Sequence, residues 1–346
     1  MTGDQHLSLS AQTGTAMEFV ADTRDIASPN ADLRKLTDPD AAASLISGET
    51  LSRVGAVLEA HPGNPVVMLS GGVDSIFVAA AAVKLGAKPH AITVLTEGGT
   101  DRANAIEAAE VLGLTHDVVE LDEQAVVNLA RESVIRLGVP ELWEVSYAIP
   151  LLATLPILGQ IGNVGPILTG SGADAILAGG RVLDYRIGTP EATAELDRLI
   201  RKETANNFVY DRLVPDFYPR VMGEYADKFI HVFQTARFWE ISETFAPPAL
   251  FGYHGDKMVD KLCLRIACEA LLPEAAQSIA WAKKSAIQRS AGIMDTLATA
   301  TRRFAASLPG ARAYSDPMAE PFEAVATRLF LAHLDETDYK QKRSEA

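Results

Sequence analysis

The 346-residue sequence holds only two cysteines, Cys263 and Cys268. Two thiols five apart on an expected helix point to different faces and cannot build a disulfide framework. A reducing cytoplasm is therefore expected, with both residues packing in a core and sulfur chemistry as the lesser alternative. Positive charge is also short: 31 Lys and Arg stand against 45 Asp and Glu, a formal net charge of -14. Phosphate affinity rests mainly on Lys and Arg, so this balance speaks against nucleic acid as a partner. It does not exclude a nucleotide, which backbone N–H groups can hold inside an acidic protein. No stretch reads as the long uninterrupted apolar run of a membrane helix, and no membrane partner is expected. Residues 1–15 lack the basic-then-apolar order of a secretory signal. The seven histidines are scattered, without the spacing of metal ligands.

What is present suffices for a large core: 48% hydrophobic and 22% charged residues. Three regions are expected. Residues 1–62 form an N-terminal extension, partly disordered to about 30 and helical over 38–60. Residues 63–192 form an α/β core. Residues 193–346 form a mostly helical region that packs on the sheet and completes the site, with a frayed charged end from 335. In the core, apolar β-branched runs at 65–69, 90–95, 116–121 and 166–168 predict strands. They alternate with helical spacing over 76–85, 101–112, 123–137 and 147–161, the last bent by Pro150 and Pro156. Such alternation implies βαβ units and a parallel sheet. Beyond 193, helices are expected over 195–206, 219–242, 256–272 and 319–334, with no strands.

Two glycine turns fall at strand ends, where parallel sheets bind ligands. The first is Ser70-Gly71-Gly72-Val73-Asp74-Ser75, between a strand and a helix. Its glycines allow an anion to approach the backbone, and the helix start supplies N–H groups and a positive dipole end. Ser70 and Ser75 add hydroxyls. Asp74 would repel phosphate unless a hard cation such as Mg²⁺ bridged them. No lysine stands in the turn, so it is not the common P-loop. The second is Leu168-Thr169-Gly170-Ser171-Gly172-Ala173-Asp174, followed by Gly179-Gly180. Asp174 facing Asp74 would give a two-carboxylate Mg²⁺ site; taken alone, this segment reads equally well as a structural turn. A third segment, Lys283-Lys284-Ser285-Ala286-Ile287-Gln288, is either a solvated basic turn or a cation for phosphate and acyl charge.

With these segments, and with Ala105 to Gly113 leading to His116, residues 64–297 resemble the synthetase domain of the asparagine synthetase family. That family includes β-lactam synthetases and belongs to the N-type ATP pyrophosphatases. The resemblance implies a parallel sheet flanked by helices, of the adenine nucleotide α-hydrolase type. It implies ATP and Mg²⁺ as cofactors. Ser70, Gly71, Gly72 and Ser75, with Gly170, Ser171 and Gly172 opposite, would hold ATP and its pyrophosphate end, and Asp74 and Asp174 the metal. Leu69, Val94 and Leu95 would flank adenine. Lys284, with Lys283 as second choice, would act on the α-phosphate and the acyl intermediate. The implied reaction adenylates a carboxylate and forms an amide or lactam with ammonia or an amine.

Three departures bear on that expectation. The glutaminase domain of the family has no counterpart, so the amine is free ammonia, a substrate amine, or ammonia from a separate amidotransferase. Ser171 and Ala175 replace the larger polar residues usual there, and a serine is a poor general base unless activated. Residues 245–251 stand in place of the family's Arg-Val-Pro-Phe segment, so its substrate does not carry over. Glu240 and Glu243 read as a solvated face or as groups that orient an amine. Trp143, Glu144 and Tyr147 read as core or as pocket walls. A homo-oligomer is expected. The rival readings are a sulfur-transfer enzyme of the same fold and a non-catalytic nucleotide-binding subunit.

Overall fold

Buried strands of a parallel sheet alternate their side chains between two covered faces. In β1 (Asn64–Met68), Val67 enters one core while Val66 and Met68 enter the other. The computed structural model describes residues 15–97, 102–209, 213–282, 291–311 and 315–344. Within them β1 pairs in parallel with β2 (His90–Thr96) and β4 (Val164–Thr169); β2 pairs with β3 (His116–Leu121), and β4 with β5 (Phe229–His231). The order is β3-β2-β1-β4-β5. The chain starts in the middle, steps outward to β3, then returns past β1 to β4. The reversal leaves a crevice between the carboxyl ends of β1 and β4, where open α/β sheets bind ligands.

Two helical layers cover the sheet. On the Val67 face lie α1 (Pro39–Ala60), α2 (Val73–Lys84) and α3 (Arg102–Val111). On the Met68 face lie α4 (Glu123–Leu137) and α5 (Leu142–Ile161). Right-handed crossovers require this division: α2 and α3 connect strands stepping one way, α4 and α5 carry the chain back. Local signals set the boundaries. Asp38 and Asp122 cap α1 and α4 by accepting from Asp40 and Ala125 N–H, and Gly138 ends α4 with φ 74°. The later chain adds α6 (Pro190–Asn207), α7 (Ala236–Ser242), α8 (Leu262–Leu271), α9 (Ile293–Ser307) and α10 (Phe322–Ser344). Of these, α8 packs on α1 and α2, while α9 and α10 pack on α4.

Several expectations change. The helix expected over 219–242 is instead broken into a short α-helix at Phe217–Met222, a 3-10 segment at Gly223–Lys228, β5 and α7. Strands do not vanish after 193: β5 completes the sheet, and β6 (Gly252–His254) pairs with β7 (Lys257–Val259) as a hairpin whose second strand falls in the helix expected over 256–272. β5 has three residues, too few for a periodicity signal, and it forms because β4 offers an open edge. The N-terminal segment is not disordered from Thr15 on: His231 N–H donates to the Ala16 carbonyl and Glu18 N–H to the Gln234 carbonyl, both at 2.9 Å. Residues 1–14 lie outside the described residues. The expected frayed end is helical to Ser344. Helix α5 is long and apolar enough to meet the length and composition of a membrane span, but 67% of its most apolar window is buried, as in a core helix.

Candidate functional site

The first turn leaves β1 and enters α2 with Gly71 at φ 76°. Ser75 closes it from inside: its hydroxyl donates to the Gly72 carbonyl (3.0 Å), accepts the Ser70 N–H (3.1 Å) and meets the Ser70 hydroxyl (3.1 Å). The second turn leaves β4, where Ser171 N–H donates to the Thr169 hydroxyl (3.3 Å). The two turns touch. A Cβ placed on Gly170 would lie 2.7 Å from both the backbone carbon and the Cβ of Asp74. A Cβ on Gly179 would overlap the Asp174 carboxylate. Those glycines are what let the two aspartates face one another.

The carboxylates converge on one cation, the ammonium of Lys261. It donates to both oxygens of Asp74 (2.7 and 2.9 Å) and to Oδ1 of Asp174 (2.7 Å). Asp74 is buried, while the Asp174 side chain is 56% exposed, so the site opens on the Asp174 side. Burial alone would lower the Lys261 pKa. The charges of Asp74 and then Asp174, with their hydrogen bonds, more than reverse this and hold it above the ordinary lysine value.

Lys261 reaches this point through its backbone, at φ 49° and ψ 37°, just before α8. Asp260 sets that turn: one carboxylate oxygen accepts from Arg265 (3.0 Å) and the other from the Gly180 N–H. The sequence reading missed Lys261, because a continuous helix over 256–272 makes it one more surface lysine.

A cavity of about 270 Å³ opens from the two turns. Of the residues singled out in the sequence, Ser70, Asp74, Ser75, Gly170, Ser171, Gly172 and Asp174 line it. Gly71 and Gly72 shape its first turn. The side chains of Leu69, Val94 and Leu95 are buried in the cores beside the β1 and β2 ends and do not line it. Lys283 and Lys284 lie outside the described residues. Their flanks are fixed: Arg265 donates to the carbonyls of Ala280 (2.8 Å) and Ala282 (3.1 Å), and Ala291 O accepts from Thr96 N–H at the end of β2 (2.7 Å). Tyr147 lines the cavity, whereas Trp143 is exposed and Glu144 is buried away from it. Glu240 pairs with Arg24 (2.6 Å) and Glu243 lies 3.6 Å from Arg201, so both are engaged in ion pairs outside the cavity.

Among the described residues, no group of three or more His, Cys, Asp or Glu forms a metal cage. Two carboxylates around one cation position do fit Mg²⁺, which completes its shell with water and phosphate oxygens. Cys263 and Cys268 are buried in α8. Burial pushes the Cys263 thiol up to about 12 and the Cys268 thiol higher still.

Residues 63–224 match the asparagine synthase family model, a span that takes in both glycine turns. This segment, just under half of the chain, is similar to asparagine synthase. It is an ATP-using unit of the pyrophosphate-loop type. Lys261, β5 and residues 283–284 lie beyond the matched segment.

Among solved structures, the chain is similar to NMN synthetase from Francisella tularensis (17% identity, 56% of this chain and 85% of that one, TM-score 0.31). It is also similar to NAD⁺ synthetase from Burkholderia pseudomallei (17% identity, 59% and 92%, TM-score 0.30). No curated protein matches.

Proposed function

We propose that the protein is a Mg²⁺- and ATP-dependent carbon–nitrogen ligase that forms AMP and pyrophosphate. The observation that carries this is the meeting of Asp74 and Asp174 on one cation position at the reversal point of the sheet. A carboxylate does not react with an amine until one of its oxygens becomes a leaving group. In the proposed first step a substrate carboxylate oxygen bonds to the α-phosphorus, and the bond from that phosphorus to the bridging oxygen breaks. In the second, the amine nitrogen bonds to the acyl carbon, the bond to AMP breaks, and the nitrogen gives up a proton.

The roles follow from the local chemistry. The Ser70–Ser75 turn and the start of α2 take the pyrophosphate end of ATP. Gly170, Ser171 and Gly172 form the facing rim. Asp74 and Asp174 hold Mg²⁺, which when bound offsets charge on the departing pyrophosphate. Adenine is assigned to the backbone at the β1–β2 end, beside the buried side chains of Leu69, Val94 and Leu95. Lys261 offsets one of the two carboxylate charges and has three donors that could also reach phosphate oxygens. Lys284, or Lys283, supplies the cation at the α-phosphate. The buried thiols are poorly suited to supplying sulfur, which favours nitrogen as the acceptor atom. The amine is free ammonia, a substrate amine, or ammonia from a separate amidotransferase.

Product analysis tests the reading. Turnover that depends on both an acid and an amine should yield AMP and pyrophosphate in equal amounts. ADP and inorganic phosphate as products would refute it.

A further inference from the structure

The cavity has two unlike walls. One is the phosphate wall of the two glycine turns and their carboxylates. The other is formed by Met68 at the end of β1, Phe229 on β5, and Tyr147, Pro150 and Leu151 on α5. Met68, Pro150, Leu151 and Phe229 are buried. Behind this wall stands an aromatic cluster: Tyr147 lies 5.5 Å from Phe217, Phe217 5.2 Å from Tyr218, and Tyr218 5.6 Å from Phe229.

The hydroxyls near this wall are already engaged. Tyr147 OH lies 3.4 Å from Tyr218 OH, and Thr169 Oγ1 lies 2.9 Å from His231 Nδ1 while accepting the Ser171 N–H. Apart from Asp74 and Asp174, the charged residues lining the cavity are Arg181 and Glu203, which pair with each other at 2.5 Å.

We infer that the acyl substrate is a monocarboxylic acid with an apolar body, aryl or branched alkyl, which lies on this second wall with its carboxylate toward the phosphate turns. The inference rests on the ligase reading above. Adenine is assigned to the β1–β2 end, so the wall between β1, β5 and α5 is left for the acyl group. A second charged group on the substrate would lose water against Met68, Leu151 and Phe229, whose side chains offer it no hydrogen bond. Aromatic edges, a thioether and a leucine favour an apolar body instead. Aspartate is therefore the wrong class of acid for this cavity.

The test is saturation-transfer NMR on the whole wild-type protein loaded with Mg²⁺ and α,β-methylene-ATP, which cannot release pyrophosphate. The acids are phenylpropanoate, isovalerate, aspartate and glutamate. The expected result is that the first two bind at least about tenfold more tightly than the last two, without displacing the nucleotide. Leu151→Asn should weaken the apolar acids by about tenfold and leave nucleotide affinity unchanged. Tighter binding of aspartate or glutamate overturns the inference and leaves the ligase reading standing. So does binding of no acid to the nucleotide-loaded protein, or competition between apolar acids and the nucleotide, which would give the wall to adenine. Failure of the nucleotide analogue itself to bind sinks both readings.

Discussion

The Lys261 ammonium donates to both carboxylate oxygens of Asp74, at 2.7 and 2.9 Å, across 187 positions of sequence. With Asp174 as third acceptor, this contact ties α8 to the start of α2 and to the second glycine turn. Its consequences can be measured separately from any catalytic assay.

Replacing Lys261 by Met should take the ammonium away from the buried Asp74 carboxylate and cost about 3 kcal/mol of unfolding free energy, read by urea denaturation. The pH dependence has a fixed sign. The folded pKa of Lys261 is raised above its ordinary 10.5, so its stabilisation is whole below pH 10.5 and is lost as pH rises through the folded value. The gap between wild type and Lys261→Met should therefore persist at neutral pH and narrow only in strong alkali. A gap that closes below pH 9 would contradict this account of the ion pair.

Mg²⁺ alone should raise the melting temperature of Lys261→Met more than that of wild type, because no ammonium competes for the two carboxylates. At about a hundredfold excess over Kd the gain approaches about 2.7 kcal/mol. Equal shifts in both proteins, or none in the variant, would remove the metal assignment.

Gly170 and Gly159 make a matched pair. A Cβ on Gly170 would press into Asp74 at 2.7 Å, whereas one on Gly159, within α5, meets nothing within 4 Å. Gly170→Ala should lose about 2 kcal/mol and the turn geometry with it. Gly159→Ala should gain about 0.5–1 kcal/mol from helix propensity. Thermal unfolding of the two variants checks both signs.

The two thiols should resist iodoacetamide in the native protein at pH 8 and react once urea unfolds it. Both sit buried in α8 with their pKa pushed up by burial. Rapid native labelling of either, followed by mass spectrometry, would show that α8 opens readily.

The architecture of the core was legible because its signals are local. Apolar runs such as Val66–Met68 and His90–Thr96, and glycines such as Gly138, fix strands and helix ends within a few residues. The meeting of Asp74 with Asp174 could be anticipated because both follow strand-end turns of a parallel sheet. Lys261 was not legible: its place depends on a hairpin of two three-residue strands and on Asp260 bonding to Gly180 and Arg265, none of which leaves a periodic trace. β5 was hidden for the same reason, since an aromatic three-residue strand reads as part of the helix on either side of it. The apolar wall was half visible. Tyr147 was noted, but its partners Met68 and Phe229 lie on separate strands that only the sheet order brings together.

The measurement that bears most directly on the central claim is ATP–pyrophosphate exchange with radiolabelled pyrophosphate and Mg²⁺, across a panel of carboxylic acids. Asp74→Asn and Lys284→Ala serve as controls. The account predicts exchange that depends on a particular acid, falling by about a hundredfold or more in Asp74→Asn as phosphate-side charge stabilisation is lost. Acid-dependent exchange that survives undiminished in Asp74→Asn would contradict it.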